Sequence, residues 1–130
     1  MSVQSWLYGI LTGNATLTAL YGNRVYEGAA PQGVAFPVVI FNYMAGRDVT
    51  LVEGTRSHTS SLWLIKVVDQ AETFTSTATI TSQIDTLLHA KKETTDGINY
   101  SCLREEPFYL IEKDGGAEYR HQGGMYRVLS

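Results

Sequence analysis

The sequence predicts an α+β domain: a mainly antiparallel sheet with one long helix packed on it and short helices at the N-terminus. Three observations lead there. Leu62-Trp63-Leu64-Ile65-Lys66-Val67-Val68 is a run of branched and aromatic side chains, too short for a helix and suited to a pleated surface covered on both faces. Directly after it, Phe74, Ala78, Thr81, Ile84, Leu87 and Leu88 recur at the three- and four-residue spacings of a helix face. Further apolar runs broken by glycine and proline supply the partner strands.

Taken in order, Trp6, Leu7, Ile10 and Leu11 form one helical stripe and Leu17, Leu20 and Tyr21 a second, separated by Gly13-Asn14, with Asn14 placed to cap the second. Arg24-Val25-Tyr26 reads as a short strand. Gly28 to Phe36, with Pro31 and Gly33 and no periodicity, reads as loop. Pro37 opens the strand Val38 to Met44, a position where no ladder donor is required. Residues 46–61 then form an extended polar segment with only Val49, Leu51 and Val52 to bury, which reads as a hairpin tip, a disordered arm or a functional loop.

The central helix opens at Asp69-x-x-Glu72, a spacing that lets each residue cap the other's backbone N–H. His89, Lys91 and Lys92 lie where the carbonyl end of a helix dipole favours cations. A strand competes for the same residues, because Phe74 to Thr81 alternates and threonine is a poor helix former. The helix therefore depends on packing rather than propensity. Beyond it, Thr94-Thr95-Asp96-Gly97 reads as a turn and Ile98 to Leu103 as a strand. Pro107 implies an edge or a bulge before Phe108 to Ile111. Lys113-Asp114-Gly115-Gly116 is a hairpin turn, and Ala117 to Gln122 and Met125 to Leu129 pair back around a bend at Gly123-Gly124.

The whole chain narrows the class. At 130 residues it fits one domain, 1–130, large enough for a core without disulfides or metal. Its hydrophobic fraction of 44% is ordinary, no stretch is long and apolar enough for a membrane span, and Met1 to Ser5 lacks the basic start of a secretory signal. The single cysteine, Cys102, allows no intrachain disulfide and fits a reducing compartment. A net charge of −3 with scattered Lys and Arg argues against a dedicated nucleic-acid binder, yet suits a surface that DNA passes without sticking.

No catalytic set emerges. His58, His89 and His121 lie in different elements without metal-ligand spacing. Cys102 has no nearby base, and Glu105-Glu106 points to opposite faces of a strand. The glycine pairs lack the strand-to-helix context and the lysine of a phosphate cradle. The expectation is a non-enzymatic chain without cofactor or metal, whose tyrosines and tryptophans serve core and interface packing.

One resemblance extends this reading. Ala19-Leu20-Tyr21-Gly22, then Arg24-Val25-Tyr26, then Phe36-Pro37-Val38-Val39, followed by the strand and helix of Leu62 to Leu88 and a closing Tyr126-Arg127-Val128, resembles the tail-completion or tail-terminator proteins of long-tailed bacteriophages. The resemblance runs over nearly the whole chain in order and spacing. It implies a structural virion component forming a ring, often a homohexamer, that caps the tail tube, stops its elongation and joins the head connector. Implied partners are copies of itself, the tube protein and a head-completion protein, with DNA passing through the ring and no membrane. The implied location is the head-proximal end of the tail, after assembly in the host cytoplasm. On this reading Arg47, Asp48, Leu51, Glu53, Arg56 and His58 of the polar segment, with Tyr126 and Arg127, are the candidate interface residues. The alternative is a ferredoxin-like α+β domain that binds a small molecule or regulates.

Overall fold

Helices α1 (Val3–Gly13) and α2 (Ala15–Tyr21) form where the two apolar stripes predict them in the computed structural model, which describes residues 2–130. Ser2 Oγ caps the first by accepting from the Ser5 N–H, and Asn14 Oδ1 caps the second by accepting from the Leu17 N–H at 3.1 Å. The buried Tyr21 hydroxyl donates to the Leu11 carbonyl at 2.6 Å and ties the two helices together.

The strands β1 (Val25–Glu27), β2 (Val38–Thr50), β3 (Arg56–Gln70), β4 (Lys91–Thr95), β5 (Ile98–Asp114) and β6 (Ala117–Leu129) make one sheet in the order β1-β2-β3-β6-β5-β4. Only β1 and β2 run parallel. This corrects the expected class. The chain is mostly β, 51% strand against 25% helix, its sheet curls into a half-barrel, and three short helices replace the single long one. The strands are longer than expected because the ladder runs through the segments that look polar or interrupted.

The helix boundary moves for the same reason. Asp69 and Gln70 are held in the ladder opposite Arg120 and Tyr119, so neither can serve as an N-cap. Helix α3 (Thr75–Leu88) begins without a side-chain cap, and Asp69 instead accepts from the Ser76 hydroxyl. Its threonines explain how it escapes the competing strand. Thr81 Oγ1 donates to the Gln122 carbonyl at 3.1 Å and Thr77 Oγ1 lies 2.9 Å from Gln122 Oε1, both buried against β6. At the other end, Lys91 and Lys92 pair with Cys102 and Ser101 in β4 instead of closing a helix.

Gly123-Gly124 is likewise no bend but the middle of a continuous β6. Pro107, expected at an edge or a bulge, lies on an uncovered edge just after a register shift between Arg104 and Glu106, and Gly115-Gly116 turns the β5–β6 hairpin with φ of 58° and 92°. The main core lies between the helices and one face of the sheet. There Trp6 stacks on Tyr100 at 4.6 Å, and Leu7, Leu11, Phe41, Trp63, Ile65, Ile80, Ile84 and Leu88 pack together. A smaller cluster on the opposite face places Val38, Ile40 and Val68 under Val34 and Phe36.

Candidate interaction surfaces

Residues 46–61 form the outer half of the β2–β3 hairpin, paired from Gly46 opposite Ser61 to Thr50 opposite Arg56. Only Leu51–Thr55 lies outside the strands, closed by the Leu51 N–H donating to the Thr55 carbonyl at 2.7 Å. The segment looked like loop because most of its side chains are exposed, so no apolar alternation marks the strands. Asp48 accepts from Thr59 Oγ1 at 2.8 Å and faces Arg56 Nε at 3.4 Å, which stiffens the hairpin on one face. Leu51, Val52 and Glu53 are exposed at the tip. His58 is half-buried at the mouth of an open hollow of about 640 Å³, which Lys92, Glu93, Asn99 and Leu129 also line.

The two C-terminal candidates part company. Arg127 sits on the sheet face opposite the main helices, its guanidinium 3.1 and 3.2 Å from the two Glu105 oxygens and 3.2 Å from Ser60 Oγ. Arg47 borders the same depression beside Ser60. Tyr126 points the other way into the core, 1% exposed, with its hydroxyl donating to Asp85 Oδ1 at 3.0 Å. Burial and Asp85 raise its phenol well above the ordinary value of 10.0. It has no surface to offer a partner.

The C-terminal strand offers no joining edge, because β6 is paired on both sides. The free edges lie elsewhere. β4 covers β5 only from Ile98 to Cys102, and β1 covers β2 only from Val39 to Phe41. The rest of both strands has no outer neighbour among the described residues. Along the uncovered part of β5, Leu103, Tyr109, Leu110 and Ile111 are exposed. The sequence signal was present, since Phe108-Tyr109-Leu110-Ile111 is an unbroken apolar run next to a proline. Such a run is also what a strand buried on both faces looks like.

Other polar groups fit a scaffold. Burial pushes the Cys102 thiol up to about 12, the reverse of an activated nucleophile. Glu93 accepts from Trp6 Nε1 at 2.7 Å, and that bond chiefly holds its carboxyl below the ordinary value. His121 Nε2 lies 2.8 Å from Glu112 Oε1 beside the half-buried Lys66. No three His, Cys, Asp or Glu side chains converge as a metal site among the described residues. The single mid-chain helix and the sheet order depart from the βαββαβ arrangement of a ferredoxin-like domain.

Comparison with known proteins gives a consistent family. The family model described as tail completion protein gp17 matches residues 6–106. Among solved structures, a chain from the virion of a native gene transfer agent particle aligns with a TM-score of 0.75 at 16% identity, covering 99% of this chain and 96% of that one. A second structure, whose name states no function, aligns with a TM-score of 0.60 at 12% identity, covering 98% of this chain and 96% of that one. None of the curated proteins matches significantly.

Proposed function

The chain belongs to the tail completion protein gp17 family, and from that premise we propose that it acts as a self-associating ring at the head-proximal end of a phage-type tail. The ring caps the tail tube, stops tube growth and presents its other face to the head connector. Growth stops because the bound ring carries no copy of the tube's polymerising surface. A ring follows when one surface of a subunit meets a different surface of the next and the rotation closes.

The observation that carries this reading is the joint one: a tail completion family match and a fold that corresponds over almost its whole length to a chain of a virion particle. The surface is consistent with it. Two uncovered strand edges are templates for pairing with another chain, and the protruding hairpin adds a charged surface beside them. The net charge of −3 suits a channel through which DNA moves without being held. Six subunits, assembly in the host cytoplasm and contacts through Arg47, Leu51, Glu53, Arg56 and His58 belong to the same proposal.

The test is to add the purified chain to a tail-tube protein from the same genome, where one is found, while tubes are polymerising. Shorter tubes with a density at one end only are expected. Tubes of unchanged length, with the chain left free in the supernatant, would overturn the capping role.

A further inference from the structure

Resting on the self-association just proposed, we infer that subunits join by adding the free edge of β2 to the free edge of β5 in the next copy, antiparallel, extending one sheet from subunit to subunit. Both edges offer backbone donors and acceptors without a neighbour among the described residues, the β5 row lacking a donor only at Pro107. β2 is uncovered from Asn42 to Thr50, and β5 is uncovered beyond Arg104, whose N–H donates to His89 Nδ1 at 3.1 Å. The stretches are of similar length and lie at opposite edges and opposite ends of the sheet. Pairing one with the other is head-to-tail and so propagates from copy to copy.

Charge and shape fix the register. Arg47 has no carboxylate partner and Glu106 no cation among the described residues, and both project from the sheet face that carries Arg127. With Arg47 set opposite Glu106, Asp48 falls beside Arg104 of the neighbour, and the new ladder is confined to residues 42–48 against 104–110, because beyond them β1 and β4 already cover the two edges. Each strand carries one register shift within the paired stretch, after Tyr43 in β2 and after Arg104 in β5. One extra residue on each side cancels, so Tyr43 arrives opposite Tyr109. Both rings lie on the helix-bearing face, where Tyr43 packs edge-on against Trp63 and Tyr109 against Phe74. A β5–β5 pairing would instead leave Arg47 without a partner and use Glu106 against β5 alone. Because the two edges sit at different heights, closure requires strands tilted to the ring axis, as in a barrel.

The experiment combines native mass spectrometry of the wild-type chain with oxidation of Tyr43→Cys, Tyr109→Cys and the double variant. Both positions are more than half exposed, at 57% and 60%, so neither change empties the core. The expected result is a wild-type oligomer, a ladder of disulfide-linked multimers from the double variant, and no covalent multimers from either single variant. A wild-type oligomer without a ladder, or covalent dimers from Tyr109→Cys alone, would overturn the β2–β5 pairing and leave self-association standing. A wild-type chain that stays monomeric at all concentrations would overturn both. In a parallel series, Arg47→Glu and Glu106→Arg should each abolish assembly and their combination should restore it, a rescue that a β5–β5 interface cannot give.

Discussion

Gly123 of β6 lies against the Ile65 carbonyl of β3 so closely that a methyl group on Gly123 would overlap that oxygen and stand 2.6 Å from Lys66 Cα. The neighbouring contact is backbone and cannot swing away. β6 thus approaches β3 at Gly123 more closely than any side chain allows, and the glycine pair that looks like a bend in the sequence is part of an unbroken strand. Gly123→Ala is expected to destabilise the fold by on the order of 3 kcal/mol, read as a lowered urea midpoint. Gly9→Ala, in α1 with nothing within 4 Å of the added methyl, is the control and should stabilise by about 0.5–1 kcal/mol. Equal effects of the two would remove the close approach as the reason for glycine.

Tyr126 separates stability from assembly. Tyr126→Phe deletes the hydroxyl that donates to Asp85, whose carboxylate keeps Arg104 Nε at 3.6 Å. The expected loss is about 1 kcal/mol in chemical denaturation with an unchanged oligomer. A changed oligomer with unaltered stability would return Tyr126 to the interface.

His121 gives the fold a pH dependence of known sign. Burial, with Lys66 nearby, lowers its pKa below 6.5 despite the opposing hydrogen bond to the Glu112 carboxylate. The unfolded chain then takes up the proton first, so stability is complete above pH 6.5 and falls as the pH drops from there through the depressed folded value. His121→Gln should flatten the stability profile in that window. A wild-type midpoint that is constant from pH 7 to pH 5 would contradict the burial.

The hairpin tip tests which part of residues 46–61 matters. Replacing Leu51–Thr55 by Asn-Gly keeps the Thr50–Arg56 closure and removes the exposed Leu51 and Val52. The folded domain should persist with a stability change within about 0.5 kcal/mol, while binding to the tube protein measured by co-sedimentation should drop at least tenfold. Unchanged co-sedimentation would move the tube contact away from the tip.

Much of the fold was legible where local signals are strong: the two N-terminal helices from their stripes, Asn14 as a cap, the strand at Leu62 to Val68, and the turn at Gly115-Gly116. The misses share one cause. Gly46 to Thr50 and Arg104 to Glu106 are strands held by the ladder while much of their surface faces solvent, so their side chains carry no record of pairing. The same blindness made Asp69 look like a cap and Lys91 like the end of a helix. For the candidate surfaces, sequence could nominate exposed charges such as Arg47 and Arg56. It could not tell that Tyr126 turns inward while its neighbour Arg127 faces out on Glu105, because that depends on which face of β6 the core adopts.

The most direct measurement is the native mass spectrum of the purified chain across a concentration series. A tail-capping ring predicts one discrete closed oligomer that grows in at the expense of monomer as the concentration rises, with no larger or open-ended series. A spectrum of monomer alone, or an unlimited ladder of sizes, would contradict it.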